Sequence, residues 1–173
     1  LIKIVLFLKG RVMATDKKVI DGLLDILCDR EVLKKDDVAE LKREFAKGET
    51  ERFEDYLIDE RIVEKDDLLK ALQEYYNTPA IDVMGAMFDH DLLVKFPKDV
   101  LVRNCCIPYY QDGMLLFVIA ADPTNEDLDE VLGEFVSYDF QFLVGIPRHI
   151  DMMIKDFYQA EMYKEDYEDV IDE

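Results

Sequence analysis

Two histidines, three cysteines and a dense population of carboxylates are the groups with which this 173-residue chain could do chemistry. His90 and His149 fall in different predicted helices, and neither has a metal-binding partner four residues on, so each reads as a surface or helix-end residue. The acidic pairs Asp36-Asp37 and Asp66-Asp67 could attract a divalent cation, but no twelve-residue calcium loop follows either. Carboxylates at the start of a helix are expected from its dipole alone. Cys28, Cys105 and Cys106 are too few for a disulfide framework, and adjacent cysteines lack the spacing of a zinc or redox pair. Cys105 and Cys106, which precede Ile107 in an apolar run, read as small buried hydrophobes, and the setting as cytosolic. A phosphate-cradling glycine loop ending in Lys-Ser or Lys-Thr is absent. The sequence therefore singles out no catalytic residue, metal ligand or cofactor, and the expectation is a non-enzymatic chain.

Charge and composition narrow the partners. Half the residues are apolar and 35% are charged, the mix of a packed globular protein. The formal net charge of −19 repels phosphate backbones and anionic lipid headgroups, so neither nucleic acid nor a membrane surface is an expected partner. A basic protein surface suits it better, and self-association is left open. No stretch reaches the roughly 20 apolar residues needed to span a bilayer.

The elements that must position any site announce themselves by duplication. Leu27-Cys28-Asp29-Arg30-Glu31-Val32-Leu33-Lys34-Lys35-Asp36-Asp37-Val38 lies over Leu57-Ile58-Asp59-Glu60-Arg61-Ile62-Val63-Glu64-Lys65-Asp66-Asp67-Leu68 at an offset of 30 residues, with five of twelve positions identical. Four further pairs are apolar in both copies and three exchange one charge for another. A period of this length marks repeated helical units that bury a shared apolar face. Apolar residues at three- and four-residue spacing from Lys17 to Tyr76 predict four helices in two hairpins, with Gly48 closing the first repeat. The apolar pairs Val32-Leu33 and Ile62-Val63 would plug the joint of each hairpin.

After Asn77-Thr78-Pro79 the pattern changes. A short helix near Asp89–Lys95 and a second from Pro97 to Asn104 precede strands at Ile107–Tyr110 and Met114–Ile119, with Asp112-Gly113 as the hairpin turn. Asp122-Pro123-Thr124-Asn125 would cap a helix carrying Leu128, Val131, Leu132 and Phe135; a third strand over Tyr138–Val144 and a last helix from Pro147 follow. The expected fold is α+β, an N-terminal four-helix tandem-repeat unit followed by a small ββαβα sandwich. The expected segments are 1–16, an N-terminal strand or appended sequence; 17–79, the helical repeat; 80–160, the ββαβα unit; and 161–173, an acidic tail. Leu1–Leu8 reads as a strand, and Met13-Ala14-Thr15 as a natural start with residues 1–12 added or misassigned upstream. The tail carries seven acids against one lysine, yet Tyr163, Tyr167, Val170 and Ile171 keep helical spacing, so it reads as an extension of the last helix.

Residues Arg52 to Leu57, Gln73, Pro79, Phe96-Pro97 and Ile107-Pro108, and above all the strand Leu115–Ala120 followed by Ala121-Asp122-Pro123-Thr124 and Leu128-Asp129-Glu130-Val131, resemble the N-terminal domain of bacterial type II secretion and type IV pilus assembly ATPases. The likeness runs from about Val19 to Tyr158. It implies a docking or adaptor module ahead of a hexameric motor, held by the cytoplasmic domain of an inner-membrane platform protein. That would place it in the cytoplasm and recruit it to the membrane through a partner rather than by insertion. The acidic residues Glu126, Asp127, Asp129 and Glu130 are the candidate docking face. The alternative implied by the resemblance is a cyclic di-GMP sensor, because some members bind that messenger on paired Arg-Leu-Gly motifs with a later glycine. Here only Arg52 keeps the arginine. Gly22 takes its place in the first repeat, Leu24 and Glu54 replace the first glycines, and Glu31 and Arg61 replace the later ones.

Overall fold

The computed structural model describes residues 15–47 and 52–171, with side chains to Ala160. The expectations for a strand over Leu1–Leu8, a start at Met13, a boundary at Gly48 and the placing of the tail side chains fall outside these residues. The chain divides into two compact units, Leu1–Ala80 and Ile81–Glu173.

The first unit holds α1 (Lys17–Asp29), α2 (Lys35–Phe45), α3 (Phe53–Asp59) and α4 (Lys65–Tyr76). Asp16 caps α1, its carboxylate accepting the Lys18 N–H at 2.8 Å and satisfying one of the free amides of the first turn. Leu23, Leu24 and Leu27 of α1 are buried, as are Leu68, Ala71 and Leu72 of α4, and the two helices pack together. Gly22 permits their close approach, because a Cβ built there would run into the Tyr75 ring. A mid-helix glycine costs about 1 kcal/mol against alanine, and seating that ring offsets the cost. The second helix buries no residue fully. It is tied in by Phe45, whose ring centroid lies 5.1 Å from Phe53 and 5.4 Å from Tyr56, and by Lys42, which donates to Asp21 at 2.5 Å. That hydrogen bond holds the Asp21 carboxyl below its ordinary range.

The second unit holds α5 (His90–Leu93), α6 (Lys98–Asn104), β1 (Cys106–Asp112), β2 (Leu115–Ala120), α7 (Asp127–Gly133), β3 (Asp139–Val144) and α8 (Pro147–Ile171), with a 3-10 turn at Val83–Gly85. The sheet order is β1-β2-β3, antiparallel between β1 and β2 and parallel between β2 and β3. A parallel neighbour needs a crossover, and α7 supplies it. The sequence and structure agree on α+β with this strand and helix order, and they differ in detail. Pro97 is the cap of α6 rather than part of its first turn. The hairpin turn is centred on Gly113 and Met114, one residue later than Asp-Gly implies, because Asp112 still pairs with Leu115. Gly113, at φ 58°, supplies the positive φ that a type II′ turn requires at its first central position. The helix after Thr124 stops at Gly133, leaving Phe135 beyond it and 38% exposed, its ring 6.3 Å from Phe96.

Strand β2 is central, and its Leu116, Val118, Ile119 and Ala120 are fully buried with Ile107, Leu128, Leu132, Ile150 and Ile154. Gly145 lies where the backbone must come close, since a Cβ there would sit 2.6 Å from Ile119 Cγ2 and 3.1 Å from Val83 Cγ2. The Tyr158 hydroxyl on α8 donates to the carbonyls of Phe96 and of Leu93, the latter at 3.3 Å, which pins α8 to the α5–α6 connection. Cys105 and Cys106 are buried, as their apolar setting implied.

Candidate functional site

The two hairpins are copies in backbone as well as sequence. Helix α1 ends at Asp29 and α3 at Asp59; α2 begins at Lys35 and α4 at Lys65. Between them Glu31 and Arg61 adopt left-handed backbone, at φ 60° and 54°. The Glu31 N–H donates to the Cys28 carbonyl and the Val32 N–H to Leu27; in the second copy Arg61 donates to Ile58 and Ile62 to Leu57, all at 2.9–3.0 Å. This is a Schellman ending, which satisfies the last carbonyls of each helix and ordinarily calls for glycine at the left-handed position. Here the turn that the resemblance associates with glycine is kept while its residue is not. A left-handed non-glycine residue costs roughly 1–2 kcal/mol and glycine gives part of that back as chain entropy, so Glu31→Gly and Arg61→Gly are each expected to stabilise by up to about 1 kcal/mol. Urea midpoints of the two variants check this, and a lowered midpoint in both would contradict it.

The motif's other positions have become structural. Arg52, the one retained arginine, is not solvated: its side chain is 11% exposed and its guanidinium lies 3.8 Å from the Asp55 carboxylate one turn on. Glu54, at the position of a motif glycine, is buried. Its Oε2 accepts the Thr15 hydroxyl at 2.6 Å, and the same hydroxyl accepts the Phe53 N–H at 2.9 Å. Thr15 therefore caps α3 in place of Arg52, whose side chain makes no cap. The Asp55 partner was legible as a one-turn spacing on a helix; the Thr15 link, 38 and 39 residues along the chain, carried no signal. Elsewhere in this unit a groove of about 530 Å³ is lined by Arg30, Lys70, Gln73, Glu74 and Asn77–Pro79, with Arg30 paired to Glu74 at 3.2 Å.

The acidic face behaves as the spacing predicts. Leu128 and Leu132 bury one side of α7, which leaves Glu126, Asp127, Asp129 and Glu130 exposed. None of the four enters an ion pair among the described residues. They lie at the positive end of the α7 dipole, which favours their charge, and Asn125 holds that end by accepting the Asp127 N–H at 3.1 Å. Among the described residues no group of three metal-ligating side chains gathers, and no helix is long and apolar enough to cross a membrane.

The model of the MshEN domain matches residues 76–163, just over half of the chain. The chain belongs to the MshEN family. MshEN domains are the N-terminal, non-catalytic domains of type II secretion and type IV pilus ATPases, so this chain is of the regulatory or interaction kind. Two solved structures share the fold. One is MshE with cdg, that is cyclic di-GMP: TM-score 0.60 at 20% identity, covering 79% of this chain and 98% of that one. The other is the N-terminal domain of XpsE: TM-score 0.53 at 17% identity, covering 82% and 96%. No curated protein matches the sequence. The family match takes in the second unit as far as residue 163, with α7 and its acids; the likeness to MshE, at 79% of the chain, reaches further than that segment.

Proposed function

We propose that this MshEN-family chain is the docking module by which a secretion or pilus ATPase is held by the cytoplasmic domain of its inner-membrane platform protein, with Glu126, Asp127, Asp129 and Glu130 as the contact face. The observation that carries this reading is the α7 face itself: three exposed carboxylates on one short helix and a fourth at its N-cap, anchored from behind by two buried leucines, inside the segment that matches the family. A rigid acidic face on a protein of charge −19 attracts a basic partner over a Debye length and fixes its register.

Cyclic di-GMP sensing is the second reading, favoured by the retained Arg52 and by the ligand of the MshE structure. It ranks lower. A dinucleotide needs a free cation and close backbone approach, whereas Arg52 is engaged by Asp55 and Glu54 fills the space of a glycine with a second negative charge.

Calorimetry with the platform protein's cytoplasmic domain tests the proposal. Association is expected to weaken as salt rises, and reversing the four α7 acids to lysine is expected to weaken it by about tenfold or more. No association at high micromolar concentration would overturn docking; salt-independent binding would remove the acidic face from it. Saturable micromolar binding of cyclic di-GMP that Arg52→Ala abolishes would promote the sensor instead.

A further inference from the structure

The chain holds two Asp-Gly bonds, Asp21-Gly22 and Asp112-Gly113, and the fold treats them in opposite ways. In such a pair the backbone nitrogen after the aspartate reaches the side-chain carboxyl with least obstruction, because glycine has no side chain to block the approach. Asp21-Gly22 lies inside α1, where the Gly22 N–H belongs to the helical hydrogen-bond ladder. The Tyr75 ring covers Gly22, and Lys42 holds the Asp21 carboxylate at 2.5 Å and keeps it ionised, which makes it a poor target for a nucleophile.

Asp112-Gly113 is open on each of these counts. Both residues are exposed, and a Cβ built on Gly113 would meet nothing within 4 Å beyond the adjoining residues. Asp112 ends β1, and Gly113 begins the turn at φ 58°. The Gly113 carbonyl accepts the Gln111 side-chain amide at 2.9 Å, but among the described residues its N–H has no acceptor and the Asp112 carboxylate has no hydrogen-bond or ion-pair partner.

We propose that Asp112-Gly113 is a site of spontaneous covalent modification, where the chain isomerises through a cyclic imide to isoaspartate, and that Asp21-Gly22 is protected from the same reaction. The Gly113 nitrogen attacks Asp112 Cγ; a C–N bond forms, and the hydroxyl of the carboxyl leaves with the amide proton as water. Water then reopens the ring. Addition at Cγ restores aspartate, whereas addition at the Asp112 backbone carbonyl leaves the main chain running through the side chain. No net reactant is consumed. The extra methylene in the main chain undoes the pairing of Asp112 with Leu115 that closes the hairpin. The freed α-carboxylate is the group that isoaspartyl carboxyl methyltransferases esterify from a sulfonium methyl donor.

The full chain is aged for several weeks at neutral pH and body temperature and digested, and isoaspartyl peptides, equal in mass to their parents but eluting apart, are quantified at both sites. Isoaspartate is expected to accumulate at residue 112 at least about tenfold faster than at residue 21, since the helix must open locally before Gly22 can attack. In guanidinium chloride, where neither site is protected, the two rates are expected to converge. Asp112→Glu keeps the charge but would have to close a six-membered ring, so it is expected to abolish the reaction there and leave that at Asp21 unchanged. Comparable rates at the two sites of the folded chain, or no isoaspartate at residue 112, would overturn the proposal. The reaction is independent of the docking reading, so neither experiment decides the other.

Discussion

Phe53→Ala is expected to destabilise the protein by about 3–5 kcal/mol, while Phe53→Leu costs markedly less. The ring is wholly buried at the entrance of α3 and meets Phe45 of the first repeat edge-on at 5.1 Å and Tyr56 at 6.3 Å. Because α2 buries no residue completely, Phe45 is its main apolar hold, and truncating Phe53 removes the surface that Phe45 packs on. Leucine retains most of that surface and loses the ring contacts. Urea unfolding followed by tyrosine fluorescence measures the loss, there being no tryptophan to obscure it. Equal costs for alanine and leucine would show that the cavity is not what matters here.

Alkaline pH supplies the second large effect. Burial pushes the Cys106 thiol up to about 12 from an ordinary value near 9, since the thiolate would have no water around it. Between those values the unfolded chain has given up a proton that the folded chain retains, so folding loses stability as pH rises, by about 1.4 kcal/mol per unit. The contribution is complete below pH 9 and gone above 12. Raising the pH from 8 to 11 is therefore expected to cost the protein about 3 kcal/mol more than it costs Cys106→Ala, which has no thiol to ionise. Every other ionisable group is common to both proteins and cancels in the difference. Parallel stability curves for the two would contradict it. Burial also raises the Tyr158 phenol, whose hydroxyl donates to two carbonyls, so part of the shared alkaline loss has that origin.

Periodic features were the legible ones. The 30-residue offset located both hairpins because Leu27 and Leu57 recur as buried residues closing the same turn, and burial constrains residue type. The acidic face of α7 was legible for the same reason: Leu128 and Leu132 four residues apart fix which side faces solvent. The one-turn spacing named Asp55 as a partner for Arg52, whereas only packing decides that the two side chains are 11% and 12% exposed. The end of α7 was missed because Phe135 keeps helical spacing beyond Gly133, where chain continuity rather than periodicity decides.

By itself the sequence determined the duplicated helical hairpins, the order of strands and helices that follows them, the acidity, and the family resemblance. Each of these depends on interactions between residues close along the chain, or on counting charges. Only the tertiary structure decided that Thr15 caps a helix 38 residues away, that Tyr75 takes the room beside Gly22, and that the Tyr158 hydroxyl reaches the carbonyls of Leu93 and Phe96. Contacts between distant residues depend on how packed elements meet, and a pattern of residue types read along one chain holds no record of that.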